Sequence, residues 1–494
     1  MEKINKKECL VNKNIGGAYP YFYIKDNQVF YSNKITEILE NNSINQRELD
    51  VVSVYSMLSL GYVVGDYTLL KSLKRLAWRS ELDSKGNYSF FDFKEYNKVN
   101  EDTKVMAKSL LTHLEDELRK QCLHRKNVYI LLSGGMDSRV VASIINKLEK
   151  NSEISAQIHG VTWGVTDSRD VVYARNICEK YNWNWHYAEL NADYLIENFN
   201  IAAIDLAAEI SPVHVHRYNW FKNNATKEDV VIAGSYGDSV GRAEYSSVRV
   251  EDLTPLSHVD KYDFLKLPYK KYVHKGIENR LKEFRDRYPN ATEAQLNEYE
   301  RQAHYMRRML GNVANIINNW SNFYQAFTDE ETAKLMFRYS YSNRTDEVYK
   351  ELLTLIDPSL LKIAWARTGL SYSEEKVENI QVDKLSKNHH KYGSWMRENN
   401  RDYIEERLFD GTLEDLGIFD LKHLRTMFKL WQKEPINIHS RLNDRISWLT
   451  VLSIFIKHYN VNNTNRLYKT GFDLGKVKSV YREGAYILMK SLKK

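Results

Sequence analysis

The chain has 494 residues, of which 43% are hydrophobic and 28% charged, and its 71 basic and 65 acidic residues give a formal net charge of +6. Such a composition excludes a disordered or linker protein, and the length predicts about two to three domains. The mild positive charge falls short of the concentrated basic surface of nucleic-acid-binding proteins, so nucleic acid is not an expected partner.

The cysteine content and the hydropathy of the chain indicate its cellular compartment. Cys9, Cys122 and Cys178 have no metal-ligand spacing and cannot all pair, which indicates a reducing environment. The N-terminal residues lack an apolar core of signal-peptide length, and no run of about 18 uncharged apolar residues occurs. We therefore expect a cytoplasmic protein without membrane insertion.

The N-terminal part alternates short strand patterns with helical ones. Residues 15–90 contain YPYFYI, QVFYS and NYSFFDF, which predict strands, and a helical pattern near 47–60. A longer helical pattern covers 102–122. We predict a small α+β module that leads into a larger domain.

From 128 to 240 the pattern repeats strand, loop and helix. Strands are predicted at 128–132, 157–163, 184–190 and 229–234, with helices between them, one of which begins after Asp167 or Ser168. Strands that alternate with helices favour βαβ units and a doubly wound parallel α/β sheet. Beyond 270 the chain is predicted to be mostly helical.

The first predicted strand runs directly into a glycine-rich loop, Ser133–Ser138, with the sequence SGGMDS. Gly134 and Gly135 allow close backbone approach, the next helix directs free N–H groups at an anion, and Ser133 and Ser138 add hydroxyl donors. A phosphate or pyrophosphate fits such a loop. Asp137 would repel it unless Mg²⁺ lay between them. The alternative is an ordinary turn with Asp137 as helix N-cap.

This loop resembles the Ser-Gly-Gly-x-Asp-Ser loop of the ATP pyrophosphatases, and it differs from the P-loop pattern. A second loop, GSYGD at 234–238, also follows a strand and resembles the Gly-Glu-Gly-Ser-Asp-Glu loop of the asparagine synthetase superfamily. The resemblance implies that Gly234 contacts ATP and that Asp137 and Asp238 both bind Mg²⁺. It also implies the ATP pyrophosphatase (adenine nucleotide α-hydrolase-like) fold.

The second loop departs from the family where chemistry is concerned. Ser235 stands at the position of the family glutamate, or of the tyrosine of β-lactam-forming relatives. A serine without a partner is a poor general base, so the residue that acts as the base is not identified. Tyr236 or Glu244 is a candidate replacement, and the alternative for Tyr236 is loop packing.

Two further segments extend the resemblance. HGVTWGV implies adenine contacts from Val161, Thr162 and Trp163. LIDPSLLKIAWARTG matches the stretch where the family has a pyrophosphate-binding lysine, here Thr368, and Arg367 beside it is the replacement cation. The alternative for Arg367 is a surface arginine. His214 and His216 are interpreted as pocket-lining residues, and His389 and His390 as a surface loop.

The N-terminal module resembles the second half of the family's glutaminase domain, but Glu2 follows Met1, so no N-terminal cysteine nucleophile is expected. We predict a degenerate glutaminase-like domain at 1–100 and a synthetase domain at 101–494, with a nucleotide core at 125–245 and a helical lobe at 270–494. The same arrangement resembles β-lactam synthetases, lasso-peptide cyclases and polysaccharide-cluster relatives.

These features predict an ATP- and Mg²⁺-dependent amide ligase that adenylates a small-molecule or peptide carboxylate and passes the acyl group to an amine without using glutamine. Partner proteins from a biosynthetic cluster are compatible with this reading. The alternatives are a tRNA-modifying adenylating enzyme and a catalytically inactive nucleotide-binding homologue. The identity of the acid and the amine is left open.

Overall fold

The computed structural model describes residues 2–4, 8–17, 19–40, 47–372, 385–435, 438–464, 466–467 and 473–492. Within these ranges the strands are β1 (Glu2–Lys3), β2 (Cys9–Asn12), β3 (Tyr21–Lys25), β4 (Gln28–Ser32), β5 (Lys74–Arg75), β6 (Ser80–Asp83), β7 (Tyr88–Phe90), β8 (Asn127–Leu131), β9 (Gln157–Gly164), β10 (Asn184–Glu189), β11 (Val230–Ala233), β12 (Glu244–Tyr245), β13 (Val248–Arg249) and β14 (Asn322–Gln325).

Helices form the larger part of the regular secondary structure. They are α1 (Ile35–Leu39), α2 (Val51–Ser59), α3 (Thr103–Cys122), α4 (Met136–Lys150), α5 (Arg169–Tyr181), α6 (Ala192–Ile204), α7 (Leu267–Arg285), α8 (Glu293–Glu300), α9 (Asn312–Ile317), α10 (Glu330–Arg338), α11 (Asp346–Ile356), α12 (Tyr392–Ser394), α13 (Arg401–Leu408), α14 (Thr412–Asp415), α15 (Leu421–Gln432), α16 (Arg441–Tyr459) and α17 (Leu474–Ser491). None of them combines the length and the apolar character needed to cross a membrane.

A five-stranded parallel sheet forms the centre, in the order β10-β9-β8-β11-β14. The predicted doubly wound parallel α/β sheet is thereby confirmed, and β8 to β11 lie within a residue of their predicted positions. The fifth strand, β14, falls inside a segment for which a helical pattern was predicted. It adds residues 322–325 to the sheet, far along the chain from the other four strands.

Both faces of this sheet are covered, which explains the continuous apolar runs of its strands. Val128 and Ile130 of β8 belong to one hydrophobic core with helices α3, α4 and α11, whereas Tyr129 between them belongs to the other, with α6 and α16. Val231 of β11 is likewise in the second core while both its neighbours are in the first. Alternate side chains thus serve opposite faces.

The N-terminal part forms two antiparallel sheets, β1-β4-β3-β5 and β2-β6-β7. The three strands predicted there are confirmed as β3, β4 and β7, and the predicted helices as α2 and α3. This part contacts the central sheet directly, because the Gly17 N–H donates to the Gln325 side chain at 2.9 Å, at the end of β14. The N-terminal segment therefore lies beside the carboxyl ends of the parallel strands.

Candidate functional site

The two glycine-rich loops lie side by side, because the strands that carry them, β8 and β11, are hydrogen-bonded neighbours. A Cβ atom on Gly234 would lie 2.8 Å from the Asp137 carbonyl carbon, and a Cβ on Gly237 would lie 2.7 Å from the Asp137 carboxylate. Only glycine permits this approach. The loops are thus packed against each other at the edge where ligands of parallel sheets bind.

Hydroxyl and amide groups give the first loop a fixed shape. Ser133 Oγ accepts from the Gly135 N–H at 3.1 Å and lies 3.2 Å from Ser138 Oγ, while the Gly134 N–H donates to Asp170 at 2.9 Å. Helix α4 begins directly afterwards, at Met136, with no side-chain cap on its first N–H groups. These groups and the helix dipole form a site for an anion such as phosphate.

Asp137 and Asp238 form an electrostatically strained pair. Arg242 donates to Asp137 Oδ2 at 3.4 Å and to Asp346 at 2.8 Å, while Asp137 Oδ1 is buried and has no hydrogen-bond partner among the described residues. Burial raises the pKa of Asp137, and burial together with the charge of Asp137 raises the pKa of Asp238 to about 7. A cation between the two carboxylates would relieve both effects.

The donor set suits a hard cation that keeps other oxygen ligands. Within the described ranges no group of three or more His, Cys, Asp or Glu side chains could hold a metal. Two carboxylates alone leave room for phosphate and water oxygens, which is the coordination that Mg²⁺ prefers. The residues therefore fit Mg²⁺ bound together with a phosphate ligand.

A cavity of about 300 Å³ opens from the two loops along the end of β9, at the lower limit of ligand pockets. Its walls combine the first loop, Gly234 and Ser235 with the predicted adenine contacts Val161, Thr162 and Trp163. The Trp163 ring stacks on His216 at a centroid distance of 5.7 Å and meets the edge of Tyr218 at 5.0 Å. Flat, apolar side chains next to a phosphate site suit a nucleobase.

The histidines of this wall are neutral bases. Burial lowers the pKa of His216 well below its usual value, with the nearby His389 as the next cause, and burial also lowers the pKa of His389. His216 lines the cavity, as interpreted from the sequence. The interpretation of 389–390 as a plain surface loop is wrong for His389, which lines the cavity close to Asp170.

Residues 364–369 lie against the outer side of the first loop. The Ala366 N–H donates to the Gly134 carbonyl at 3.0 Å, and Arg139, fully buried in α4, donates to the carbonyls of Leu360, Ile363 and Ala364. Arg367 follows directly. Its guanidinium binds Glu244 at 2.9 Å, its side chain is 40% exposed, and it lies outside the cavity wall.

The structure separates Ser235 from Tyr236. Ser235 lines the cavity, and its hydroxyl accepts from Gln325 Nε2 at 2.9 Å. Tyr236 points into the protein interior, where its ring lies against Gly16 and its hydroxyl has no partner among the described residues. Burial raises the Tyr236 pKa well above its usual value. Tyr236 therefore has the packing role given above as the alternative, and its position does not fit the predicted catalytic role.

Most of the predicted ligand-binding residues thus meet at one cavity: Ser133, Gly135, Asp137, Ser138, Val161, Thr162, Trp163, Gly234 and Ser235. Gly134 and Asp238 adjoin it through the same loops. Sequence reasoning missed Arg242, Asp170 and Gln325. Of these three, Arg242 could have been predicted from the sequence. It lies four residues after Asp238, and two aspartates brought together require a nearby positive charge.

Comparison with known proteins gives a match for part of the chain. Residues 109–341 match the family model described as asparagine synthase. The glutamine-hydrolyzing asparagine synthetases of Gallus gallus and Mesocricetus auratus are each 22% identical to this chain over 144 residues, which is 28% of this chain and 26% of each relative. The match therefore spans about a quarter of these relatives.

Two solved structures show a distant likeness. The U34-tRNA thiolase NcsA from Methanococcus maripaludis has a TM-score of 0.21 and 14% identity, with 52% of this chain and 77% of that chain covered. NMN synthetase from Francisella tularensis has a TM-score of 0.20 and 13% identity, with 44% and 94% covered. Scores this low support no argument, so the assignment depends on the matched segment and on the two aspartate loops within it. By these, the segment 109–341 is similar to the asparagine synthase family.

Proposed function

We propose that this protein is an ATP-dependent, amide-forming ligase that works without glutamine hydrolysis. The observation that carries the proposal is the pair Asp137 and Asp238. Two neighbouring strand ends bring them to the mouth of one cavity, and Asp137 Oδ1 has no partner among the described residues. The match of residues 109–341 to the asparagine synthase model supports an ATP-using synthetase domain. The carboxylate substrate and the amine are proposed by chemical class only.

ATP would bind with its adenine along Val161 to Trp163 and its phosphates at Ser133 to Ser138. A substrate carboxylate oxygen attacks the α-phosphorus, the bond from that phosphorus to the bridging oxygen breaks, and pyrophosphate leaves with the electron pair. The amine nitrogen then attacks the acyl carbon, AMP leaves, and the amine gives up a proton. Most of the acceleration in such a reaction comes from positioning and charge stabilisation.

Asp137 and Asp238 would hold Mg²⁺, which supplies positive charge next to the departing pyrophosphate. Arg242 keeps Asp137 in place through its hydrogen bonds to Asp137 and Asp346. Arg367 is proposed as a second cation for pyrophosphate. It would have to exchange its present partner for the phosphate oxygens: Arg367 Nη1 now donates to both carboxylate oxygens of Glu244, whereas a guanidinium can bind phosphate with two nitrogens.

The test is pyrophosphate and AMP release from Mg-ATP across a panel of small carboxylic acids, uronic acids and acidic peptides, with and without ammonia. We expect one acid class to give both products, and Asp137→Asn to lower the rate at least about a hundredfold while folding is retained. Asp402→Asn is the matched control, because Asp402 is exposed and, among the described residues, forms its ion pair with its neighbour Arg401. Full activity of Asp137→Asn would refute the assignment.

A second candidate is a nucleotide-binding homologue without turnover. Ser235 at the position of the family glutamate favours this candidate, because its hydroxyl is already hydrogen-bonded to Gln325. The titratable groups that line the cavity are the neutral His216 and His389 and the carboxylates Asp137 and Asp170. The same assay separates the two candidates. ATP binding without pyrophosphate release across the whole panel would favour the binding protein.

A further inference from the structure

The most deeply buried residues of helix α17 are polar, although Val480 also packs against the hydrophobic core. Its two fully buried residues are Ser479 and Glu483. Ser479 Oγ lies 3.2 Å from His423 Nε2, and Glu483 exchanges a hydrogen bond with Glu434. An ordinary surface helix does the opposite and buries its apolar stripe against the core.

Ion pairs fix this orientation at the start of the helix. Lys476 Nζ lies 3.1 Å from carboxylate oxygens of both Asp420 and Asp473, and Lys270 binds Asp473 from the other side at 2.7 Å. Asp473 also caps the helix through the Gly475 N–H. The helix therefore cannot rotate by half a turn to bury its apolar side without breaking these contacts.

The solvent side of α17 carries large apolar residues at helical spacing. They are 52–80% exposed, and together with Leu492, the residue that follows the helix, they form what we call the outer face: Leu474, Val477, Tyr481, Leu488, Met489 and Leu492. These six are a large share of the exposed large hydrophobic residues in the described chain. A contiguous apolar surface of this kind marks a site of interaction.

The exposed charges of α17 beside the outer face are positive. Lys478 and Arg482 are exposed there, and neither has an ion-pair partner within the described ranges. The one acidic residue of the helix, Glu483, is buried on the other side. A partner must therefore be apolar and negatively charged at once.

A second copy of this chain does not meet that requirement. In a two-fold dimer the same face would lie on both sides, so Lys478 and Arg482 would approach their own equivalents with no acid on the face to oppose them. An anionic phospholipid surface does meet it. Apolar side chains enter the boundary between headgroups and acyl chains, and each flanking Lys or Arg is attracted by the lipid charge.

We propose that the outer face of α17 docks on the surface of an anionic phospholipid bilayer, with the helix lying in the plane of the interface. The protein would then be attached to the membrane surface without a spanning segment. This inference is independent of the proposed ligase activity, because it uses residues outside the nucleotide cavity.

The experiment is co-sedimentation of the full-length protein with vesicles of phosphatidylglycerol and phosphatidylcholine in equal parts, and with phosphatidylcholine alone. We expect binding to the anionic vesicles, at least about tenfold weaker binding to neutral ones, and loss of binding as salt is raised. Tyr481→Ser with Leu488→Ser should abolish binding, and Lys478→Glu with Arg482→Glu should weaken it at least about tenfold.

The matched control is Val259→Ser with Tyr272→Ser, which removes two exposed apolar side chains elsewhere on the surface. It should bind as the unchanged protein does. The proposal is overturned if the unchanged protein stays in solution with anionic vesicles, or if the control loses binding as the α17 variants do. It is also overturned if the protein is a dimer in solution that Tyr481→Ser with Leu488→Ser converts to a monomer.

Discussion

Gly234→Ala tests whether the two aspartate loops depend on close contact. The new methyl carbon would lie 2.8 Å and 2.9 Å from the Asp137 carbonyl carbon and oxygen and 3.0 Å from the Ser138 nitrogen. These are backbone atoms in the first turn of α4, so no side-chain rotation can relieve the clash. Ordinary contact begins at 3.4 Å, so the loops would have to separate by about half an ångström.

Overpacking of this kind costs about 1–3 kcal/mol of unfolding free energy. The same separation moves Asp137 away from Asp238. Because a misplacement of about 1 Å can reduce catalysis about a hundredfold, we expect Mg-ATP affinity and pyrophosphate release each to fall about tenfold. Urea unfolding measures the first effect, and calorimetric titration with Mg-ATP the second.

Gly484→Ala is the control for the method. A Cβ atom at Gly484 meets nothing within 4 Å, and alanine is the better helix former, so this variant should be as stable as the unchanged protein or slightly more stable. If Gly234→Ala unfolds at the unchanged urea concentration and binds Mg-ATP with unchanged affinity, the tight contact between the loops has no functional role and the reasoning fails.

Three further predictions concern buried polar groups. Tyr236→Phe removes a hydroxyl that has no partner in the described structure. The free energy of unfolding, measured in urea, and the rate of pyrophosphate release should both be unchanged. Loss of turnover in a folded variant would show that Tyr236 has a catalytic role. Arg242→Gln leaves Asp137 without this cation and should lower the free energy of unfolding by about 1–3 kcal/mol. Urea titrations should show that Mg²⁺ alone stabilises this variant more than the unchanged protein. Equal stabilisation would argue against metal binding there. Burial and Glu483 raise the pKa of Glu434 to about 8, so that the two carboxyl groups share a proton. The stability from this pair is present at low pH and is lost as pH rises from about 5 to 8. Glu483→Gln should make that loss smaller by about 1–2 kcal/mol in urea titrations, and an unchanged pH profile would contradict the shared proton.

The sequence was sufficient for the four strands that are buried on both faces. β8, β9, β10 and β11 are apolar or aromatic runs bounded by polar loops, so their pattern alone located them within a residue. β14 was missed because its residues, NFYQ, are only partly apolar and follow a helical stretch that includes the π-helical segment Arg301–Gly311. Its strand conformation is set by pairing with β11, a long-range contact that no local pattern contains.

The candidate site was predictable where function depends on a loop's own sequence. Four residues of the first loop line one cavity with Val161–Trp163, as the loop and strand patterns predicted: Ser133, Gly135, Asp137 and Ser138. Side-chain direction was not predictable, as Tyr236 demonstrates: it follows Ser235 in the same loop but points to the opposite side. The partners that come from distant segments, Arg242 with Asp346 and Ser235 with Gln325, depend on tertiary packing.

The late position of β14 has a consequence for how the chain folds. β11 pairs with β14, with Val230 opposite Asn322. The sheet therefore cannot be completed until the chain between the two strands has folded and brought them together. Until then β11, with the sequence VVIA, presents an unpaired apolar edge. We expect refolding from denaturant to be slow and prone to aggregation, and molecular chaperones to raise its yield.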